Sequence, residues 1–375
     1  MFRHTIPVGR ILGVSVDLDY SWFLVFGLLT WLLAVNYYPN EFKHWGAAEY
    51  WFMGAFTAVM LFVSVLLHEL GHSIVARRYG IAVPRITLFA FGGVSQLATE
   101  PPTPRAEFWM AVAGPIVSFA LALTFWELQP FLAHASPLLA LVKYLAILNL
   151  VLGAFNLVPG FPLDGGRVFR SVLWGMTGDF RRSTVVATVT GRVFGFAFIF
   201  AGVWLALAGS VLNGLWVAFI GWFLESAAAT QLQLQVVKDL LGGHRVSEVM
   251  SKDFLRIPGD VTLQQLVDKN VLTQGRRCFV VGNGQGPAGL VTLSTIKEVP
   301  RSSWPRTIAS QVMIPLEKAV SIQPAAELWT ALEKMGRDGV NQLPVLNGGG
   351  GDHLVGMLSR DDLLQYLRVV QTLAK

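Results

Sequence analysis

The sequence predicts a polytopic α-helical membrane domain followed by a soluble α/β domain. Of its 375 residues, 53% are hydrophobic and only 14% are charged, whereas an average soluble domain has about 25% charged residues. Apolar runs close to the roughly 20 residues that cross a bilayer recur at residues 20–38, 51–76, 108–128, 137–155, 185–208 and 212–232. After residue 235 the sequence becomes polar, and a pattern of strands and helices occurs twice. We therefore expect about six transmembrane helices within residues 1–235, embedded in a lipid bilayer.

Basic residues are distributed unequally among the ends and loops that flank these runs. One set of ends and loops contains Lys43 and acidic residues, whereas the alternate set contains Arg3, Arg10, Arg77, Arg78, Arg85, Arg105, Arg167, Arg170, Arg181, Arg182 and Lys238. The positive-inside rule places the arginine-rich set in the cytoplasm. We therefore expect an inner (cell) membrane protein with both termini and the soluble domain in the cytoplasm. The net charge of +5 then reflects topology, and we expect no nucleic-acid partner.

The second apolar run contains the pattern H-E-x-x-H, formed by His68, Glu69 and His72. Residues four apart lie on one face of a helix, so both imidazoles can bind one metal ion. Glu69 can then reach a water held by the metal and act as general base. The alternative is a structural cluster, because the pattern can occur by chance. Ionisable side chains inside a membrane-length apolar segment are costly and mark functional sites, so we expect a metal centre.

Prolines and glycines interrupt the chain after the fourth apolar run. Residues 156–167 contain two prolines and three glycines, so a regular helix cannot continue. Broken backbone at membrane depth is tolerated where it is buried in protein or lines a cavity. Asp164 in this break is the expected third metal ligand, because two histidines, a carboxylate and a water form an open catalytic site. The alternative is that Asp164 caps the next helix. Glu107, at a span end, is expected at the membrane interface.

Two β-rich arms surround Gly92 and Gly93 between the second and third spans, in residues 83–98. This pattern is typical of a β-hairpin, and it is too apolar for an ordinary cytoplasmic loop. We expect a membrane-associated hairpin near the metal centre, whose edge at Gly92 and Gly93 binds an extended substrate by strand addition. The alternative is a surface hairpin with no role. Residues 113–115, Ala-Gly-Pro, indicate close helix packing and no chemistry.

The two motifs together resemble those of the site-2 protease family of intramembrane zinc metalloproteases, peptidase family M50. His68 and His72 match its H-E-x-x-H helix, and residues 156–165 match its later N-x-x-P…L-D-G motif. The resemblance covers residues 1–235. It implies a protease that cleaves transmembrane segments of membrane proteins, such as an anti-sigma factor, another membrane-tethered regulator or a signal-peptide remnant.

The family resemblance also implies a role for each matching residue. His68, His72 and Asp164 would bind one Zn²⁺ per chain. Glu69 would be the catalytic general acid and base. Asn156 would bind the substrate backbone or the developing oxyanion.

The soluble part contains an internal repeat of about 60 residues. Residues 246–250 recur as 308–313, residues 278–281 as 342–346, and residues 289–294 as 356–361. The repeat resembles a tandem pair of CBS domains, a Bateman module, with copies expected at 244–300 and 306–371. The resemblance implies a homodimer formed through the pair and modulation of the membrane domain.

The CBS resemblance further implies an adenine nucleotide such as ATP or AMP, held between the two copies. Ser359 and Asp362 match the positions that bind the ribose, whereas the first copy has Thr292 and Thr295 there. The first copy therefore departs from the pattern, because threonine offers fewer acceptor oxygens than aspartate. The alternative is a purely structural pair that dimerises and gates the membrane domain.

Two other functions fit parts of the sequence. A CBS-regulated ion transporter or channel also combines a broken membrane helix with an intramembrane carboxylate. Transport does not require Glu69 beside two histidines, which favours the protease. A catalytically idle membrane scaffold is the third possibility, and the presence of every catalytic residue argues against it.

Overall fold

A computed structural model describes residues 5–90, 92–132, 136–282, 286–347 and 353–373. Arg3 and Phe91, which belong to the arginine-rich set and to the hairpin segment, lie outside the described residues. The chain divides into two compact units, Met1–Gln233 and Leu234–Lys375.

Within the described residues, six helices are long and apolar enough to cross a membrane: Tyr20–Glu41, Ala47–Arg78, Pro104–Phe131, Pro137–Asn156, Phe180–Leu207 and Val211–Leu241. Each predicted apolar run corresponds to one of them, which confirms the predicted fold class of the first unit. Four helices begin where the side chain of Asp19, Thr103, Ser136 or Asp179 accepts a hydrogen bond from a first-turn amide. Polar caps therefore set the helix starts, whereas the apolar runs set the length within the membrane. Large exposed apolar side chains such as Leu24, Phe52 and Phe200 suit contact with lipid. The protein is a multi-pass membrane protein.

The elements of the first unit, with the last helix continuing to Leu241, are numbered in chain order. They are β1 (Thr5–Ile11), β2 (Val14–Asp19), α1 (Tyr20–Leu32), α2 (Tyr38–Glu41), α3 (Ala47–Arg78), β3 (Arg85–Phe89), β4 (Gly92–Gln96), α4 (Pro104–Leu128), α5 (Pro137–Asn156), α6 (Asp164–Thr177), α7 (Phe180–Leu207) and α8 (Val211–Leu241). A π-helical segment, Leu33–Tyr37, joins α1 to α2.

The predicted hairpin is β3–β4, and it belongs to a four-stranded sheet of order β1-β2-β3-β4. β2 pairs with β3 in parallel, and the two outer pairs are antiparallel. Ile86 and Leu88 of β3 are buried in one core with Val65 and Leu70 of α3 and with Met110 of α4. This shared core attaches the sheet to the helix that carries the histidines. β4 lies at the edge of the sheet.

The break between α5 and α6 packs backbone against backbone on α7. A Cβ on Gly191 of α7 would overlap the Phe161 carbonyl, and a Cβ on Gly160 would overlap the Gly191 backbone. A Cβ on Gly166 would in turn overlap the backbone of Gly160 and Phe161. Glycine at these positions lets the irregular segment approach α7 and α6 closely, so the start of α6 has a defined position.

The second unit contains two similar halves in chain order. Its elements are α9 (Val246–Val249), β5 (Arg256–Pro258), α10 (Leu263–Leu266), α11 (Leu272–Gln274), β6 (Cys278–Gly282), β7 (Pro287–Thr292), α12 (Leu293–Lys297), α13 (Ala309–Val312), β8 (Ile314–Pro315), α14 (Leu328–Arg337), β9 (Gln342–Asn347), β10 (His353–Ser359) and α15 (Arg360–Leu373). The parallel pair of β5 and β6 has a counterpart in the parallel bridge between Ile322 and Val345. The antiparallel pair β6–β7 has its counterpart in β9–β10.

The first segment of each half packs on the other half. The Val246 amide donates to the Ala326 carbonyl at 2.9 Å, and the Ala309 amide donates to the Val261 carbonyl at 2.9 Å. Val246 accordingly lies in the core of the second half, and Ala309 lies in the core of the first half. The two repeats therefore form one structural unit.

Candidate metal centre and active site

The two histidines and Glu69 lie on α3 and are buried. His68 is 3% exposed, Glu69 8% and His72 6%. The two imidazole rings lie one turn apart, with centroids separated by 4.9 Å. One potential ligand atom from each of His68, Glu69 and His72 lies within 4.8 Å of the others. The helical spacing therefore brings these three side chains close together at one position along a membrane-length helix.

Asp164 is the first residue of α6, directly after the break, and its carboxylate reaches both rings. Its Oδ2 lies 3.0 Å from His68 Nε2 and 3.1 Å from His72 Nε2. The N-cap of α6 is Leu163, which has extended backbone and makes no side-chain cap. The capping alternative for Asp164 thus does not match this helix start, and the carboxylate instead lies at the histidines.

The outer ring nitrogens of both histidines contact α4. His72 Nδ1 lies 2.6 Å from the Met110 carbonyl, which can only accept, so Nδ1 carries the proton. In the neutral ring, His72 Nε2 then has its lone pair directed at Asp164. His68 Nδ1 lies 2.8 Å from the Ser118 hydroxyl, which can accept in the same way. Such outer contacts set the tautomer and the orientation of histidines that bind metals.

A metal ion fits this donor set. When both neutral rings carry their proton on Nδ1, two Nε2 lone pairs and a carboxylate oxygen converge, which is unfavourable unless a cation lies close to all three. Bonds of about 2.0–2.1 Å in a tetrahedral site separate the donor atoms by roughly 3.3 Å, close to the 3.0 and 3.1 Å between Asp164 and the two rings. The donor types, two imidazoles and a carboxylate, are those of catalytic zinc sites.

Gly114 of α4 borders the inner ring nitrogens. A Cβ at this position would overlap Nε2 of both His68 and His72. The sequence predicted only helix packing for this residue, because apolar composition does not reveal which side of α4 meets α3. Gly114 therefore provides room beside the donor atoms.

Glu69 contacts the edge strand β4. The Ser95 hydroxyl donates to Glu69 Oε2 at 2.7 Å. Gly93 also lies against this side chain, since a Cβ there would overlap Glu69 Cγ. Gly92 has φ +132° and nothing within 4 Å of an added Cβ. The structure thus brings Gly93 to the site and leaves Gly92 outside direct contact, and Ser95 was missed at the sequence level.

Asn156 is the last residue of α5, before the break. Its Nδ2 donates to the Leu152 carbonyl at 3.0 Å. Among the described residues, no hydrogen bond joins Asn156 to the histidines, Glu69 or Asp164. The structure therefore gives Asn156 a helix contact and leaves the sequence-based role as a prediction.

Glu107 lies in the first turn of α4, at the span end expected from the sequence, and its side chain is fully buried by protein. Arg170 of α6 donates to Glu107 Oε1 through Nε at 2.9 Å and also through Nη2. Arg170 Nη1 lies 3.4 Å from the Thr184 hydroxyl, and the guanidinium contacts the rings of Phe161 and Phe180. A buried carboxylate requires such a partner, and a partner contributed by a distant helix is not readable from local sequence.

The Glu107–Arg170 pair connects the two elements that surround the metal centre. α4 contains Glu107, and it also contacts the outer nitrogens of both histidines. α6 contains Arg170, and it begins with Asp164. The ion pair therefore joins the helix that orients the imidazoles to the helix that presents the carboxylate.

In the second unit, Ser359 and Asp362 form a reciprocal cap at the start of α15. The Ser359 amide and hydroxyl donate to Asp362 Oδ2 at 2.8 and 2.7 Å, and the Asp362 amide donates to Ser359 Oγ at 3.1 Å. Thr292 and Thr295 cap α12 in the same way. Both pairs thus act as capping boxes, and nucleotide binding stays a prediction.

Comparisons with known proteins agree with this arrangement. The model of "Peptidase family M50" matches residues 56–134 and 129–202, and the model of "CBS domain" matches residues 246–301 and 309–369. "Putative zinc metalloprotease Rip3" of Mycobacterium tuberculosis is 36% identical over 371 residues, which cover 98% of this chain and 94% of Rip3. "Putative zinc metalloprotease sll0528" of Synechocystis is 31% identical over 376 residues, with 98% and 96% coverage.

Among solved structures, the "Site-2 Protease from Methanocaldococcus jannaschii" is 29% identical. It has a TM-score of 0.45 and covers 61% of this chain and 95% of its own. The similarity to Rip3 runs through nearly the whole of both chains, and the M50 match includes the helices that carry His68, His72 and Asp164. The chain therefore belongs to peptidase family M50, the site-2 protease family, and it is a protease with a C-terminal pair of CBS domains.

Proposed function

We propose that this protein is an intramembrane zinc metalloendopeptidase that cleaves transmembrane segments of membrane proteins. The observation that carries the proposal is the convergence of His68 Nε2, His72 Nε2 and Asp164 Oδ2, at 3.0 and 3.1 Å across the two His–Asp contacts. These donors would hold one Zn²⁺ per chain. The names of the relatives as zinc metalloproteases support this choice of metal.

The chemistry is hydrolysis of a peptide bond with Glu69 as general acid and base. Zinc, when bound, polarises the scissile carbonyl and lowers the pKa of a water. Glu69 takes a proton from the water as its oxygen bonds to the carbonyl carbon. Glu69 then delivers that proton to the amine nitrogen as the carbon–nitrogen bond breaks. The position of Glu69 beside His68 suits both steps, because the carboxylate borders the donor cluster.

β4 binds the substrate segment and presents it to the active site. Peptide bonds within a helix are sterically shielded, so the substrate segment must become extended before cleavage. β4 is an edge strand with Gly93 against Glu69, and an added strand would pair with its open edge. Gly92 and Gly93 form the proposed substrate site. Asn156 uses one amide hydrogen on Leu152, which leaves the second for a substrate carbonyl or the oxyanion.

The remaining assignments follow from the charge distribution and the CBS pair. Residues 1–235 form the protease domain, and residues 244–300 and 306–371 form the two CBS domains. Both termini lie in the cytoplasm, as the arginine-rich loops indicate. The pair dimerises and modulates proteolysis, with ATP or AMP bound at Ser359 and Asp362. The substrates are membrane-tethered regulators such as anti-sigma factors, or signal-peptide remnants, in regulated intramembrane proteolysis.

Cleavage of a transmembrane substrate by the purified full-length protein tests the proposal. The substrate carries a fluorophore and a quencher on either side of a glycine-containing transmembrane segment, in liposomes. The Glu69→Gln variant should retain zinc and lose cleavage, whereas Glu49→Gln, an exposed residue on the same helix, should behave as wild type. Full activity of Glu69→Gln would exclude the mechanism. Ion flux in the same liposomes without cleavage would favour the transporter.

A further inference from the structure

The hydrogen bond between Ser95 and Glu69 joins the substrate-facing strand to the general base. Ser95 Oγ lies 2.7 Å from Glu69 Oε2. Among the described residues, Ser95 is the only side chain that donates to this carboxylate. A glutamate side chain has three rotatable torsions, so a single hydrogen bond at its end strongly limits where the carboxylate points.

The position of Ser95 is set by the sheet and does not depend on a loop. Residues i and i+2 of a strand face the same side, so Gly93 and Ser95 both face Glu69. Ser95 pairs with Ile86 and Gly93 pairs with Leu88 across the β3–β4 ladder. Ile86 is 0% exposed and Leu88 4% exposed in the core shared with α3. The hydroxyl is therefore attached through β3 to the helix that carries Glu69.

Gly93 and Ser95 have complementary effects on Glu69. A Cβ at Gly93 would overlap Glu69 Cγ, so glycine leaves room for the methylene part of the side chain. Two residues further on, the Ser95 hydroxyl holds one oxygen of its carboxylate. The other oxygen is left to exchange a proton with water and with the leaving amine.

We infer that Ser95 is a positioning residue for the general base, and that β4 orients Glu69 and the substrate strand together. The inference rests on the proposed function. A substrate that pairs with β4 is placed in register with the same strand that holds the base. Misplacement of a catalytic group by about 1 Å can reduce the rate by as much as 100-fold. Loss of the Ser95 hydroxyl should therefore lower kcat more than it raises KM.

Three variants of the full-length protein separate this role from a structural one. Ser95→Ala removes the hydroxyl. Ser95→Thr retains it, and a β-branched residue suits a strand. Thr87→Val is the matched control, because Thr87 is buried on the neighbouring strand β3 and its hydroxyl has no partner among the described residues.

We expect kcat for the transmembrane substrate to fall about 10-fold in Ser95→Ala. This loss is smaller than the roughly 100- to 10,000-fold that general acid–base catalysis contributes, because Glu69 itself is still present. KM and zinc content should stay unchanged, Ser95→Thr should restore most of kcat, and Thr87→Val should match wild type. A kcat within twofold of wild type in Ser95→Ala would overturn the inference. So would a loss that falls on KM or on zinc content.

A second measurement does not depend on cleavage. A peptide hydroxamate chelates zinc and hydrogen-bonds to the base carboxylate, so its affinity reports the orientation of Glu69. Ser95→Ala should bind the hydroxamate several-fold more weakly than wild type and Thr87→Val, and equal affinity would contradict the role. If the wild-type protein binds the hydroxamate but cleaves no transmembrane substrate, the proposed function fails while the Ser95 comparison still stands.

Discussion

Asp164 Oδ2 lies 3.0 Å from His68 Nε2, although 96 residues separate the two in the chain. The contact requires α3, the break after α5 and the start of α6 to meet at one point. α4 contributes to this arrangement because Ser118 and Met110 contact the outer nitrogens of the histidines. The candidate metal centre thus depends on α3, α4 and α6, and on the non-helical break that sets where α6 begins.

Replacement of Asp164 by asparagine should lower zinc affinity by about 100-fold or more. Loss of a residue that only hydrogen-bonds to a metal ligand already reduces metal affinity by about 10- to 100-fold, and loss of the ligand itself should cost at least as much. Asparagine keeps the size of the side chain and removes its negative charge. Zinc content measured after dialysis against graded chelator concentrations checks this expectation. Asp179→Asn, a change at the N-cap of α7, is the control. Unchanged zinc occupancy in Asp164→Asn would remove this residue from the ligand set.

Gly114→Ala should reduce zinc affinity by at least 10-fold, since the added methyl overlaps both donor nitrogens and small displacements of ligands are costly. The measurement is the same chelator competition. Gly27→Ala is the matched control on α1, where an added Cβ has nothing within 4 Å. Wild-type zinc affinity in Gly114→Ala would show that α4 can move away from the histidines without cost.

The sequence allowed prediction of the six spans, the histidine pair and Asp164 because their signals are local. Apolar length, the spacing of four between histidines and the proline-glycine break each occupy a short stretch. Gly114, Ser95 and Arg170 depend on which face of one element meets another, and composition does not contain that orientation. The pairing of β2 with β3 also joins segments far apart in the chain. The ion pair of Glu107 was not predicted for the same reason, since Arg170 lies 63 residues later.

Loss of the buried carboxylate in Glu107→Ala should lower the free energy of unfolding by about 3 kcal/mol, because it leaves Arg170 buried without its counter-charge. Zinc affinity should fall as well, since α6 carries both Arg170 and Asp164. Denaturant titration in mixed micelles and chelator competition measure the two effects. Glu127→Ala, near the opposite end of α4, serves as control. If Glu107→Ala had the same stability and zinc affinity as wild type, the Glu107–Arg170 pair would not be needed to hold α6 in place.

Asp362→Gln separates the capping role of Asp362 from nucleotide binding. Glutamine also completes a capping box, so thermal stability of the second unit should change little. If Asp362 also binds the ribose, the affinity for ATP or AMP should fall about 10-fold with the loss of a charged acceptor. Equilibrium binding of labelled nucleotide to the full-length protein measures this change. Equal nucleotide affinity in both proteins would leave the cap as the sole role of this residue.

Cys278, the one cysteine of the chain, provides a pH-dependent probe of the second unit. Burial raises the pKa of its thiol to about 12, compared with about 8.5 in an unfolded chain. The thiolate is the reactive form, so iodoacetamide should modify the folded protein slowly at pH 7.5–9.5 and rapidly in denaturant. Because the unfolded thiol ionises first, its ionisation stabilises the unfolded state as pH rises above about 8.5. Stability of the second unit should therefore decline between about pH 8.5 and 12, and Cys278→Val should remove that part of the decline. Rapid modification of the folded protein at pH 8 would contradict the raised pKa of this half-buried thiol.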